Sequence, residues 1–232
     1  KRCLQADFIL KRVIHMKNRT KFLMAGVPGL LFVILMILIL TFDVAPIGPE
    51  GTSIGLSHIN KIVFDVFGVN ILWYNITDWL GVVAIAVAFV FAFIGLAQLI
   101  KRRSLLKVDK SILALGGLYI IVIGLYVLFE ILSINYRPII MPGCEYPEAS
   151  FPSSHTMLVC VIMGSAIMLL KRYVKNSKIR LVLQILCAAV IMVTICGRVI
   201  SGVHWITDII GGVLISAALL MLYSGIVEGK SR

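Results

Sequence analysis

Seven polar residues, gathered in three short stretches of an otherwise apolar chain, have the types needed for phosphate chemistry. The stretches are Tyr136-Arg137-Pro138, Pro152-Ser153-Ser154-His155 and the segment from Arg198 to Asp208. In the third, His204 and Asp208 stand four apart, which on a helix puts both side chains on one face. A carboxylate accepting from one imidazole nitrogen fixes the tautomer and leaves the other nitrogen free as a nucleophile. Arg198 adds a planar fork suited to phosphate oxygens. The same spacing also fits a helix-capping histidine beside a solvated aspartate. In the second stretch, Ser153, Ser154 and backbone N–H groups at a helix start would cradle an anion, with His155 as general acid. An ordinary serine N-cap with an interfacial histidine reads the same way. Arg137 precedes Pro138, so a helix must end near it; alone, it could be a snorkelling interfacial arginine. His155, His204 and Asp208 also have ligand types that suit zinc.

These residues must be positioned by the rest of the chain, which has 232 residues, 60% hydrophobic and only 14% charged. That balance excludes a soluble enzyme, a disordered segment and a nucleic-acid module. A spanning helix needs about 20 apolar residues. Six runs approach or reach that length: Phe22–Phe42, Trp79–Ile100, Ser111–Leu132, His155–Leu170, Leu181–Gly197 and Ile206–Val227. The fourth and fifth are short and must borrow polar residues at their outer ends. The expected fold is therefore all-α, an integral membrane bundle of six helices. Residues 1–21 form a basic N-terminal segment, 22–227 the membrane domain and 228–232 a tail.

The net charge of +11 is explained by position and calls for no nucleic acid. Nineteen of the 22 Lys and Arg lie in residues 1–21, in Lys101–Lys110, in Lys171–Arg180 and in the tail. All fall on one side if six spans alternate, leaving Lys61, Arg137 and Arg198 on the other. The positive-inside rule then places both termini in the cytoplasm and the three polar stretches on the extracytoplasmic side. Excess basic charge contacts anionic headgroups. The segment Ile59–Trp79 is expected along the outer interface, and Asn75-Ile76-Thr77 is a glycosylation sequon there. The five cysteines, Cys3, Cys144, Cys160, Cys187 and Cys196, show no paired spacing and are expected to be free. A cleaved signal peptide is not expected, because the first apolar run is of full span length and follows a basic segment.

Taken together, the three stretches resemble the signature of the type 2 phosphatidic acid phosphatase superfamily, membrane enzymes that hydrolyse lipid phosphates. That signature reads Lys-x6-Arg-Pro, then Pro-Ser-Gly-His, then Ser-Arg-x5-His-x3-Asp. The matching positions are Arg137-Pro138, Pro152-Ser153-x-His155 and Arg198-x5-His204-x3-Asp208. The resemblance implies that His204 becomes a phosphohistidine, that Asp208 orients it and that His155 is the general acid. It implies a phosphate clamp of Arg137, Arg198, Ser153 and Ser154, with no metal and no cofactor. The implied substrate is a lipid phosphate or diphosphate such as phosphatidic acid, phosphatidylglycerol phosphate or polyprenyl diphosphate, met at the extracytoplasmic face of the cell membrane.

Three positions depart from the pattern. Ser154 replaces a glycine and Gly197 replaces the serine before Arg198; both are expected to be mild. Glu130 stands where the family has lysine, seven residues before Arg137, and is a charge reversal. It has three readings: it pairs with Arg137 or Arg198 and positions it, it contacts a cationic or hydroxyl-bearing headgroup, or it marks a weakened enzyme. Lys61 is the remaining outer lysine that could fill the vacant role. Transfer of the phosphate to a hydroxyl acceptor, in place of water, fits the same motifs. A transporter would place polar groups at mid-membrane, and here they lie at span ends.

Overall fold

The computed structural model describes residues 18–228. Seven α-helices follow one another: α1 Asn18–Thr41, α2 Ser57–Phe67, α3 Ile71–Arg102, α4 Lys110–Leu132, α5 Ser154–Tyr173, α6 Ser177–Ser201 and α7 Ile206–Glu228. Among the described residues there is no strand beyond two isolated bridges, Ala45 with Ile54 and Tyr136 with Ala149. All but α2 are long and apolar enough to cross a membrane. The basic segment expected over residues 1–21 lies largely, and the tail almost wholly, outside the described residues. Of the cysteines, Cys144, Cys160, Cys187 and Cys196 are free, and Cys3 lies outside the described residues.

The six spans stand where the apolar runs put them, but their ends are set by caps rather than by hydrophobicity. The second span starts at Ile71, not Trp79, because the Asn70 side chain accepts from the Trp73 N–H at 3.2 Å and opens the helix there. Asn176 opens α6 in the same way, accepting from Lys178 and Ile179. The interfacial segment expected over Ile59–Trp79 is thus corrected to the short helix α2, and the sequon Asn75-Ile76-Thr77 lies inside α3. On α2, Ile59, Ile62 and Val66 form an exposed apolar stripe, while Asn60 points inward and is fully buried.

Helix α5 is the centre of the bundle, packed against α3, α4, α6 and α7. Its run from Val159 to Ala166 is buried throughout, with Gly164, Ser165 and Ala166 keeping neighbouring backbones close. Met157, Val161 and Leu169 join Phe91, Leu115 and Tyr223 in the main core. Outer faces such as Leu181, Val182, Ile185 and Leu186 of α6 stay exposed, as lipid-facing surfaces should.

Two connections at one end of the bundle are held tightly. The long α4–α5 connection is anchored by Phe151, stacked on Phe32 of α1 at 5.6 Å and edge-on to Phe129 of α4 at 6.2 Å. It is tied further by Ser150 N–H to Asn135 O (2.8 Å), Trp205 Nε1–H to Tyr136 O (2.7 Å) and Ser153 N–H to Asp208 O (3.0 Å). The α6–α7 connection turns at Gly202, whose φ of +64° is left-handed and whose Cβ, if present, would lie 1.8 Å from the Gly68 carbonyl. Asn60 then caps α7 from outside: its Oδ1 accepts from the Thr207 N–H (3.3 Å) and its amide donates to Gly55 O (2.9 Å). At the opposite end, Asp109 accepts from Gln98, Arg102 and Tyr173. Burial would raise its carboxyl, but these donors outweigh it and hold the group below the usual range.

Candidate active site

Alternation of the spans brings the ends of α4 and α6 and the starts of α3, α5 and α7 to one end of the bundle, opposite the Lys101–Lys110 and Lys171–Arg180 connections. There, Glu130, Arg137, Glu148, Ser154, His155 and His204 line one cavity of about 130 Å³. A larger cavity of about 590 Å³ abuts it between α3, α4 and α5. Trp79, Val82 and Ile85 give it an apolar wall, and Tyr126, Ser154, His155 and Met157 line both spaces.

His204 sits in the α6–α7 turn, 5% exposed, with neither ring nitrogen hydrogen-bonded. Burial, and then the charges of Arg137, Arg198 and His155, press its pKa well below the ordinary histidine value. The imidazole is therefore neutral at neutral pH. Asp208 lies fully buried on the first turn of α7, with Oδ2 3.6 Å from His204 Nδ1, an ion-pair distance beyond hydrogen-bond length. Its Oδ2 accepts from the Trp205 N–H at 2.9 Å, and its Oδ1 lies 3.4 Å from the Asn135 amide. That reach back to the residue before the helix is one half of a capping box. Asp208 thus caps α7 and faces His204; the alternative of a helix-capping histidine beside a solvated aspartate is overturned, because His204 makes no ring hydrogen bond and Asp208 is fully buried.

Arg198 is 0% exposed, lies over the Tyr74 ring at 5.1 Å and donates from Nη2 to Asp78 Oδ1 at 2.6 Å. The same Asp78 oxygen stands 3.0 Å from His155 Nε2. Arg137 Nε lies 3.1 Å from Glu148 Oε2 without hydrogen-bond alignment. Nε and Nη1 of both arginines lack partners although they are buried. Burying guanidinium groups is expensive unless their donors are satisfied. Arg137 and His204 line the smaller cavity, while Arg198 lines neither and meets the larger one through Asp78; two such groups and a bare imidazole nitrogen at this end of the bundle can receive an oxyanion.

Ser153 is the N-cap of α5, its hydroxyl accepting from Thr156 Oγ1 at 3.0 Å. It lines neither cavity, whereas Ser154 lines both. Among the described residues, no three His, Cys, Asp or Glu side chains gather as metal ligands, so His155, His204 and Asp208 form no such triad.

The structure corrects the pairing reading of Glu130. Arg198 takes Asp78 and Arg137 takes Glu148, while Glu130 lines the cavity and pairs with neither. Lys61 does not fill the lysine role, because it is bound to Asp65 on exposed α2 at 2.9 Å. Asp78 and Glu148 were not singled out in the sequence. A usable signal existed for Asp78, the sole acid in the apolar stretch Ile71–Arg102. A span that starts at Trp79 leaves it in a loop, whereas the helix starts at Ile71.

The replacement at Gly197 is not mild either. A Cβ there would lie 2.5 Å from Thr77 Cγ2 and 3.0 Å from the Trp73 ring, because α6 and α3 touch at this point. Restoring serine by Gly197→Ser should push α3 away from Arg198 and lower stability by about 1–3 kcal/mol. Thermal unfolding of the purified variant checks this, and an unchanged midpoint would contradict the contact.

Residues 132–232 match the PAP2 superfamily family model. A 97-residue stretch is 32% identical to phosphatidylglycerophosphatase B of Bacillus subtilis (strain 168) and covers 41% of this chain. The chain matches about half of that relative's length, 48%. The fold superposes on a crystal structure described as the first transmembrane PAP2 type phosphatidylglycerolphosphate phosphatase from Bacillus subtilis. The TM-score is 0.63 at 20% identity, covering 90% of this chain and 98% of the other.

Proposed function

We propose that this chain is a member of the PAP2 superfamily, whose family model matches residues 132–232, and that it is an integral membrane lipid phosphatase working through a phosphohistidine on His204. The observation that carries the reading is the set of buried nitrogens without hydrogen bonds on Arg137 and His204, which line the smaller cavity, and on Arg198, which is joined to the larger, apolar-walled one through Asp78. A lipid would keep its tails in the larger cavity and place its phosphate in the smaller one. Asp208 faces Nδ1, so Nε2 of neutral His204 attacks phosphorus. The bond from phosphorus to the lipid oxygen breaks, and His155 protonates that oxygen. Arg137 and Arg198 hold the equatorial oxygens as charge builds on them, with Ser154 and the start of α5 as further donors. Water activated by His155 then cleaves the phosphohistidine and releases phosphate. No divalent ion has a part in these steps.

The basic connections lie at the far end of the bundle, and by the positive-inside rule the site faces away from the cytoplasm and both termini face it. As to substrate, Glu130 and Glu148 add two carboxylates to the phosphate cavity. They favour a headgroup with hydroxyls to donate, and phosphatidylglycerol phosphate has one. The name of the Bacillus subtilis relative points the same way.

Phosphate release by the purified protein in EDTA, from phosphatidylglycerol phosphate, phosphatidic acid and undecaprenyl diphosphate, tests this reading. Release is expected to be fastest from the first, and release from none of them would overturn the phosphatase reading. Glu130→Lys should raise turnover of phosphatidic acid severalfold by adding a cation to the clamp, since nearby charges interact by about 1–4 kcal/mol. It should also narrow the preference for the hydroxylated lipid. A fall in phosphatidic acid turnover would mean that Glu130 supports the clamp.

A further inference from the structure

Asp78 lines the larger cavity and binds the two groups that a phosphate would need. Its Oδ1 lies 2.6 Å from Arg198 Nη2 and 3.0 Å from His155 Nε2. A guanidinium grips an oxyanion with two nitrogens, either Nε with Nη2 or Nη1 with Nη2. Nη2 belongs to both forks. Here Nη2 holds Asp78, while Nε and Nη1, one from each fork, are buried without partners.

The two partners are not equally fixed. The Arg198 side chain is 0% exposed and packed on Tyr74, whereas the Asp78 side chain is 39% exposed and lines the larger cavity. If one of them moves, it is the carboxylate, which has open space beside it. We propose that Asp78 is a built-in competitor for the phosphate: it occupies Arg198 Nη2 and His155 Nε2 in the resting site and is displaced when a substrate phosphate takes either fork, since each needs Nη2. The inference rests on the phosphatase reading given above. Displacement also frees the His155 Nε2–H to meet the leaving oxygen, so one movement completes the clamp and releases the acid. Carboxylate and phosphate repel, which sets a threshold. A lipid phosphate whose tails fill the larger cavity gains enough contact to move Asp78, and free inorganic phosphate does not. Asp78 is therefore a positioning and selecting residue rather than a catalytic one.

The test is competitive inhibition of lipid phosphate turnover by inorganic phosphate, in wild type and in Asp78→Asn. The asparagine has the same shape without the charge. Its inhibition constant for phosphate is expected to fall about tenfold, because the competing charge next to Arg198 is gone. A residue that only props up the fold would weaken phosphate binding and turnover together. Asp78→Ser, which removes the carboxylate with a smaller side chain, should also bind phosphate more tightly. An inhibition constant unchanged or raised in these variants overturns the proposal. Wild-type protein that releases no phosphate from any of the three lipids overturns the phosphatase reading and this inference with it.

Discussion

Replacing His204 with alanine should abolish phosphate release, a loss on the order of 1,000-fold or more, because it removes the atom that forms the bond to phosphorus. The loss should come without unfolding. Neither ring nitrogen of His204 makes a hydrogen bond, and the α6–α7 turn is held by other groups: Gly202, the Trp205 side chain on Tyr136, the Asn60 cap and the reach of Asp208 to Trp205. A fall in the melting point of a few degrees at most is expected, since the buried imidazole contributes packing but no polar network. Turnover that persists in His204→Ala at more than a few per cent of wild type would reject the nucleophile assignment.

The second large effect is expected at Arg198. Lysine there keeps the charge and can still reach Asp78, but it lacks the two-pronged fork and the flat face that lies over Tyr74. Arg198→Lys should lower kcat about 100-fold or more, the range found when one donor to a developing oxyanion is removed. Expression and helix content should hold, because the Asp78 partner keeps an opposite charge. Arg198→Ala should behave differently and lose stability as well, since it leaves Asp78 facing His155 alone and opens a hole between α3 and α6. Equal turnover in Arg198→Lys and wild type would mean that the arginine serves only to bind α6 to α3.

Much of this arrangement could be read from the chain because membrane spans are long and alternate. Six apolar runs give six helices, and once they alternate, Arg137, His155 and Arg198 through Asp208 must share one end of the bundle. What escaped were features that depend on caps and on loop paths. Asn70 starts α3 eight residues before its most apolar part, and that single cap moves Asp78 from a loop into the site. Glu148 reaches Arg137 because the connection folds back on itself, with the Arg137 N–H bound to Glu148 O at 3.0 Å. No periodicity encodes that turn. The pairing expected of Glu130 failed for the same reason, as nearer carboxylates had taken both arginines. Gly197 reads in sequence as a harmless small-for-small exchange, but α3 lies on it.

The central claim is a covalent bond between His204 and phosphorus, and trapping it is the most direct test. Wild-type protein mixed with lipid labelled in its terminal phosphate and quenched within milliseconds should carry label that is stable in base and lost in acid. That label should map to the peptide containing His204 and be absent from His204→Ala. Label on another residue, or rapid wild-type turnover with no label at any quench time, would contradict the account.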